Sequence, residues 1–118
     1  MTPMIMVIDD DRGWTSYYKS LLSDFEVEFF QDGVAATARM DEKIPKLVIL
    51  DILLTGPTGF SILHEMQSYT DLSKVPVLIV SSIDLDLADI AKYGAIKIFN
   101  KSTMLPNDLL VSVQELMQ

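Results

Sequence analysis

The sequence predicts an α/β fold, a doubly wound sheet of five parallel strands flanked by five helices. Five short apolar runs alternate with five segments of helical spacing, a pattern typical of a parallel sheet covered on both faces. The runs at residues 5–8, 47–50 and 77–80 are apolar throughout, which indicates central strands buried on both sides. Right-handed crossovers then leave few topologies open.

The first half of the chain supplies three strands and two helices. Residues 5–9 are predicted as the first strand, 27–30 as the second and 47–50 as the third. Between the second and third, residues 35–40 suit a short helix that stops before a proline. The helix after the first strand is indicated by apolar residues at helical spacing, namely Trp14, Tyr17, Tyr18, Leu21 and Leu22.

Residues 54–59 are predicted as a loop because turn-forming residues dominate them. A third helix follows, carried by Phe60, Leu63 and Met66, and residues 77–80 form the fourth strand.

The last part of the chain completes the alternation. Residues 85–93 are predicted as a fourth helix that ends at Gly94, a good C-terminal cap. Residues 96–99 form the fifth strand, and a fifth helix starts at Pro106. Its apolar positions are Leu109, Leu110, Val113, Leu116 and Met117.

Composition limits the class of protein. With 118 residues the chain is expected to form one domain, residues 1–118, and 49% apolar residues suffice for a core. A net charge of −8 disfavours direct binding of nucleic acid. The lack of cysteine excludes disulfides and thiol chemistry. No signal-like segment is evident, and apolar runs of about five residues are far below the ~20 of a membrane span. We therefore expect a cytoplasmic protein with no membrane partner.

Carboxylates cluster where two predicted central strands end. Asp51 closes the third strand, and Asp9, Asp10 and Asp11 follow the first. The carboxyl ends of parallel strands meet at one edge, which is where open α/β sheets bind ligands. Because like charges held close repel each other, the cluster implies a neutralising cation. Oxygen-rich surroundings without cysteine favour Mg²⁺. Lys101 should reach the same edge.

These features, in their order and spacing, resemble a response-regulator receiver domain over essentially the whole chain. The matching segments are residues 7–11, 47–51, 59–60, 76–81, 94–95 and 100–101. The resemblance implies a flavodoxin-like fold with strand order 2-1-3-4-5. It also implies a two-component signalling function, in which a sensor histidine kinase or a phosphotransfer protein supplies a phosphoryl group.

The resemblance assigns the acidic residues to a metal-assisted acceptor site. Asp51 falls on the phosphoryl acceptor and Asp10 on a metal ligand. Asp9 falls on the acid that holds the metal through water, and Leu53 is placed to offer its backbone carbonyl. Mg²⁺ between carboxylate and phosphoryl oxygens would neutralise the charge that otherwise keeps them apart.

The resemblance also implies switch and lifetime positions. Ser81 takes the hydroxyl position and Lys101 the cation that contacts the phosphoryl group. Leu53 and Ile83 flank the path of an attacking water. Both are apolar, so we expect slow autodephosphorylation. The resemblance implies no enzyme activity other than Mg²⁺-dependent self-phosphorylation and this slow autodephosphorylation. Ile98 falls on the strand-five switch position.

Several positions depart from the family pattern. Ser102 replaces the proline after the lysine, and a cis bond before serine costs about 2.5–4 kcal/mol, so the loop is expected to take another path. Ile98 replaces an aromatic ring, and pleating should aim Phe99 at the opposite face. Thr55 replaces a common proline in the acceptor loop. The charged pairs that one subfamily uses for dimerisation are replaced by Ile96 and Lys97.

Two other functions remain as alternatives. One is a pseudo-receiver that keeps the fold as a protein-interaction module without phosphorylation. The other is an aspartate-nucleophile phosphatase of the haloacid-dehalogenase type, which would need a second acid where Leu53 stands. The sequence also leaves open a stand-alone regulator or one domain of a longer protein, and a phosphorylation-dependent homodimer through Ile96, Ile98 and the last helix.

Three further residues receive plain structural interpretations. Asp11 precedes a helix and is expected to cap it. His64 is expected to be an exposed helix residue without a chemical role. Trp14, with its neighbouring tyrosines, is interpreted as packing.

Overall fold

The computed structural model describes residues 2–54 and 58–118. The strands are β1 (Met4–Ile8), β2 (Glu26–Phe30), β3 (Leu47–Leu50), β4 (Val77–Ser81) and β5 (Ala95–Asn100). The helices are α1 (Arg12–Leu21), α2 (Gly33–Glu42), α3 (Gly59–Gln67), α4 (Leu87–Ile90) and α5 (Pro106–Leu116). Thr55, at which a departure from the family was noted, and part of the predicted loop 54–59 lie outside the described residues.

The strands form one parallel sheet in the order β2-β1-β3-β4-β5, which confirms the predicted fold. Every residue of β1, β3 and β4 is buried, as their uninterrupted apolar runs predicted. The strand residues alternate between two apolar clusters, one on each face of the sheet.

The helices cover both faces of the sheet. Ala36 of α2, Ile62 of α3 and Ile90 of α4 join one cluster. Tyr18 of α1 and Leu109 of α5 join the other. Removal of apolar surface from water drives this packing on both faces of the sheet. Polar groups therefore lie at the ends of the strands, outside the two apolar clusters.

The predicted helix 85–93 is wrong in its start and in its form. Helix α4 begins only at Leu87, since the Asp86 carboxylate accepts a hydrogen bond from the Ala88 N–H at 2.9 Å and caps the helix there. Its continuation, Ala91–Tyr93, is a 3₁₀ turn. Gly94 has a φ of 90° and ends this turn, as predicted.

The first helix begins as predicted. The Asp11 carboxylate accepts hydrogen bonds from Gly13 N–H at 2.8 Å and Trp14 N–H at 3.3 Å, so Asp11 caps α1. The strand before it ends at Ile8 rather than residue 9. Asp9 therefore lies just beyond the sheet edge.

Helix α3 starts in close contact with the end of β3. A Cβ atom on Gly59 would lie 2.7 Å from the Asp51 carbonyl oxygen and 2.7 Å from the Ile52 Cα. The Gly59 N–H donates to the Ile52 carbonyl at 3.1 Å. Only glycine permits this approach without a backbone shift.

The strand register aligns the carboxyl ends of the central strands. Ile8 pairs with Leu50, and Leu50 pairs with Ile79. The residues that follow β1 and β3 are therefore neighbours at one edge. Within the described part of the chain, no helix has the length and apolar character needed to cross a membrane.

Candidate functional site

Asp9 and Asp51 lie side by side in two turns of the same form. Both are buried, and the Asp51 N–H donates to the Ile8 carbonyl at 2.9 Å. Asp9 Oδ1 accepts from the Asp11 N–H at 2.9 Å, and Asp51 Oδ1 accepts from the Leu53 N–H at 3.0 Å. One oxygen of each carboxylate is thus fixed by the backbone two residues on.

The second oxygen of each carboxylate faces Lys101. Its Nζ lies 2.9 Å from Asp9 Oδ2 and 3.1 Å from Asp51 Oδ2, and the Lys101 side chain is only 10% exposed. Burial acts to lower the pKa of Lys101, but the two carboxylates outweigh it and raise that pKa. Lys101 therefore stays cationic at neutral pH.

Burial has the opposite consequence for Asp9. It raises the pKa of Asp9, and the nearby charge of Asp51 adds to the rise. The Asp11 N–H and Lys101 oppose the shift without cancelling it. Asp9 Oδ2 forms an ion pair with Lys101 whose geometry does not meet that of a hydrogen bond, and this buried oxygen accepts no hydrogen bond from the described residues.

Asp10 completes an acidic cluster at the strand edge. One carboxylate oxygen from each of Asp9, Asp10 and Asp51 can be chosen so that all three lie within 4.8 Å of one another. Three carboxylates against the single charge of Lys101 leave a formal charge of −2. An oxygen-only donor set with this charge fits a hard divalent cation.

Ser81 lies at the end of β4 and is fully buried. Its Oγ accepts a hydrogen bond from the Ile83 N–H at 3.5 Å. Its carbonyl accepts from the Lys101 N–H at 2.9 Å, so the loops after β4 and β5 are joined through the backbone. The structure thus brings Ser81 beside Lys101 but ties its hydroxyl to its own loop.

The two positions assigned to water access are at the surface. The Leu53 side chain is 49% exposed and Ile83 is 36% exposed. The Leu53 N–H is committed to Asp51, as noted above. The metal-binding role of its carbonyl and the lifetime role of both side chains stay predictions.

Strand β5 presents its residues as pleating predicted. Ile98 is partly buried against the cluster that contains Met4, whereas Phe99 is buried in the opposite cluster. Ile98 is therefore less exposed than expected for a residue of the docking face, the predicted surface formed by Ile96, Ile98 and the last helix. Ile96, at 46% exposure, is the more accessible of the two isoleucines.

Two contacts were not predicted from the sequence. The Lys101 ammonium lies over the Trp14 ring, 5.1 Å from its centroid. Asn100 Nδ2 donates to Asp84 Oδ1 at 2.9 Å, across the loops after β4 and β5. The available signal was the position of Trp14, four residues after Asp10 and in the first turn of α1. His64 is exposed, as expected.

The loop after β5 avoids the cis peptide bond that is costly before serine. All peptide bonds of the described residues are trans, including the one before Ser102. The Ser102 N–H donates to Asn100 Oδ1 at 2.8 Å, which stabilises the alternative turn.

The chain is similar to a known domain family and to proteins named as response regulators or sensor histidine kinases. The family model for the response regulator receiver domain matches residues 5–114. Response regulator MprA of a Mycobacterium species (strain KMS) is 30% identical over 86 residues, covering 71% of this chain and 36% of MprA. The chain spans less than half of the length of the curated relatives it matches.

Solved structures support the fold. The receiver domain of a putative LuxO repressor protein from Vibrio parahaemolyticus has a TM-score of 0.88 and 21% identity, covering 99% of this chain and 91% of that one. The receiver domain of sensor histidine kinase PA1611 from Pseudomonas aeruginosa PAO1, with magnesium coordinated in its active-site cleft, has a TM-score of 0.85 and 16% identity, covering 99% and 98%. At these identities the likeness establishes the fold alone.

Proposed function

The chain belongs to the response regulator receiver domain family, and from this premise we propose that Asp51 is its phosphoryl acceptor. Domains of this family are signalling modules of two-component systems rather than metabolic enzymes. The observation that carries the proposal is the geometry of Asp51 itself. Its carboxylate is buried, one oxygen is fixed by the Leu53 N–H, and the other faces the Lys101 ammonium.

We propose that Asp9, Asp10 and Asp51 hold Mg²⁺. The buried Asp9 Oδ2, which lacks a hydrogen bond from the described residues, and the excess of carboxylates over cations fit such an ion. The magnesium in the PA1611 receiver domain supports the choice of metal. When bound, Mg²⁺ would neutralise charge between the acceptor and the incoming phosphoryl oxygens.

The transfer forms one bond and breaks one bond. An Asp51 carboxylate oxygen attacks phosphorus, and the bond between phosphorus and the donor breaks, with its electron pair leaving on the donor. The donor class is a phosphohistidine of a sensor kinase or phosphotransfer protein, or a small acyl phosphate. Lys101 contributes a fixed positive charge to the phosphoryl oxygens, in a site where burial makes that charge effective.

The product would act as a switch through Ser81 and Lys101. An aspartyl phosphate adds strong acceptor oxygens close to both residues. The Ser81 hydroxyl accepts a weak hydrogen bond from the Ile83 N–H at 3.5 Å, and its own hydrogen can be donated to a phosphoryl oxygen. Because the Lys101 N–H is bonded to the Ser81 carbonyl, a shift of one loop is transmitted to the other.

The pseudo-receiver alternative is not favoured. A protein-interaction module has no need of two buried carboxylates gathered with a third carboxylate and a buried lysine, since the buried charges oppose folding. A pseudo-receiver would also remain unphosphorylated under every condition below.

The test is phosphoryl uptake from acetyl phosphate, followed by intact mass. The wild type is expected to gain one phosphoryl group with Mg²⁺ and none with a chelator. Asp51→Asn should gain none, because an amide is not a usable nucleophile. Uptake by Asp51→Asn equal to the wild type would overturn the assignment.

A matched pair of variants tests the metal site. Asp10→Ala should weaken Mg²⁺ binding more than Asp11→Ala, since Asp10 belongs to the cluster and Asp11 caps α1. Trp14 fluorescence, titrated with Mg²⁺, measures both affinities. Equal affinities would contradict the proposed ligand set.

A further inference from the structure

Lys101 has a third neighbour besides the two carboxylates. Its Nζ lies 5.1 Å from the centroid of the Trp14 ring, while Asp9 Oδ2 and Asp51 Oδ2 lie at 2.9 and 3.1 Å. An ammonium has three donor hydrogens, and an aromatic face within about 6 Å attracts a cation through its quadrupole. The charged end of Lys101 is therefore held by two carboxylates and one ring.

The Trp14 ring is itself fixed in place. It packs edge-on against Tyr17 with centroids 5.1 Å apart, and tilted against Tyr18 at 5.9 Å. Its backbone N–H donates to the Asp11 carboxylate at 3.3 Å, at the start of α1. The ring thus packs against two other rings of the helix that follows the acidic residues.

Burial separates this contact from the other lysine–aromatic contacts of the chain. Lys19 lies over Phe29, Lys92 over Tyr93 and Lys97 over Phe99, at 5.5, 5.2 and 5.1 Å. Those three lysines are exposed, whereas the Lys101 side chain is 10% exposed. A desolvated cation gains more from a ring than a solvated one.

We propose that Trp14 is a positioning residue for Lys101, whose ring holds the ammonium at the acceptor carboxylate and keeps water from it. The inference rests on the proposed function of Asp51, since the position of Lys101 matters only if a phosphoryl group arrives there. A lysine side chain is flexible, and fixing its charge beforehand lowers the reorganisation needed during transfer. Trp14 acts only through Lys101 and does not contact the phosphoryl group in this account.

The first experiment measures the contact without any phosphodonor. Trp14 is the single tryptophan, so emission reports its surroundings alone. Lys101→Met should shift the emission or change its intensity, because the cation at the ring is lost. The control is Lys19→Met. Lys19 lies on the same helix as Trp14 but over the Phe29 ring, so its loss should leave the spectrum unchanged. An unchanged spectrum in Lys101→Met would overturn the proposal.

The second experiment measures the rate of phosphoryl uptake from acetyl phosphate at saturating Mg²⁺. Trp14→Leu should slow uptake about three- to tenfold, and Trp14→Phe should fall between Leu and wild type because it keeps an aromatic face. Phe29→Leu, which removes the ring under Lys19 and leaves the one under Lys101, should change the rate less than about twofold.

A double-mutant cycle separates positioning from general damage to the fold. In a Lys101→Met background, Trp14→Leu should change the rate less than about twofold, because its effect passes through the lysine. Equal slowing in both backgrounds, or a Phe variant as slow as Leu, would overturn the proposal. If the wild type takes up no phosphoryl group, the proposed function fails, and the emission experiment still decides whether Trp14 holds Lys101.

Discussion

At the scale of single residues, the ionised form of Asp9 is costly for the metal-free protein. Burial raises the pKa of Asp9 above its ordinary value of 3.8. A group with a raised folded-state pKa favours folding fully below its ordinary pKa, and loses that contribution as the pH rises through the raised pKa. At neutral pH without metal, Asp9 therefore destabilises the fold.

Asp9→Asn should increase the free energy of unfolding in the presence of a chelator at pH 7, because it removes the buried charge. The gain over wild type should shrink as the pH falls through the raised pKa of Asp9. Urea denaturation at several pH values measures it, with Asp41→Asn, an exposed site on α2, as control. A loss of stability in the Asn variant at pH 7 would contradict this account.

Leu53 and Ile83 are proposed to set the lifetime of the phosphoryl group. Neither side chain can hydrogen-bond an attacking water, and positioning a water can lower a barrier by several kcal/mol. We expect a lifetime on the order of tens of minutes or longer, since apolar side chains leave that water unoriented.

The double variant Leu53→Asn with Ile83→Glu should shorten this lifetime about tenfold, equivalent to roughly 1.4 kcal/mol. Both side chains are at the surface, at 49% and 36% exposure, so the fold should tolerate the change. Phosphate release from purified phosphoprotein with Mg²⁺ measures it. Loss within seconds in the wild type, or no acceleration in the variant, would show that these side chains do not control the water.

At the scale of elements, the contact between α3 and the end of β3 depends on Gly59. A Cβ there would lie 2.7 Å from backbone atoms of Asp51 and Ile52, so side-chain rotation cannot relieve the clash. Gly59→Ala should lower the free energy of unfolding by about 1–3 kcal/mol and slow phosphoryl uptake, because the acceptor backbone must move.

Gly13→Ala is the matched control for this prediction. Its Cβ would lie 3.1 Å from Asp11 Oδ1, the side-chain oxygen that caps α1, and a shift of this oxygen by a few tenths of an ångström relieves the contact. We expect a stability change within about 0.5 kcal/mol for it, measured by urea denaturation. Equal stability of the two variants would show that the close contact at Gly59 does not stabilise the fold.

The strands were predictable because a sheet buried on both faces needs apolar residues at every position of its central strands. Residues 47–50 were therefore placed without error. Helix α4 was not, because apolar spacing over residues 85–93 gives no information about where the chain starts to turn. The Asp86 side chain decides that through a single hydrogen bond. The start of α4 at Leu87 therefore could not be predicted from apolar spacing alone.

The candidate site was predictable in its members and less so in its contacts. Strand ends fix where Asp9 and Asp51 lie, since their backbones belong to the sheet edge. The cation–π contact of Lys101 with Trp14 depends on the rotamers of a long side chain, which sequence spacing does not determine. The same holds for the bond from Asn100 to Asp84.

At the scale of the whole molecule, the face predicted for docking is built from α4, β5 and α5, and each of these elements carries an exposed apolar residue. These residues are Leu87 of α4, Ile96 of β5 and Val111 of α5. We expect self-association through this face when the acceptor is phosphorylated, because the loops after β4 and β5, which follow Ser81 and begin at Lys101 respectively, lead directly into α4 and α5. Ile98 contributes little, because it is partly buried.

Light scattering with and without a beryllofluoride mimic and Mg²⁺ tests this prediction. The mimic should increase the apparent mass of the wild type, and Ile96→Glu should prevent the increase without altering binding of the mimic. The substitution places a charge on an open site, so its effect on stability should be small, within about 0.5 kcal/mol. A monomer under both conditions would remove the homodimer and leave docking of another protein.

The most direct test of the central claim is the position of the phosphoryl group on the chain. Borohydride reduces an acyl phosphate to an alcohol, so a phosphorylated aspartate becomes homoserine and can be mapped by peptide mass spectrometry. After phosphorylation with acetyl phosphate and Mg²⁺, the account predicts homoserine at position 51 in the wild type and none in Asp51→Asn. Homoserine at position 9, 10 or 11, or none at all, would contradict it.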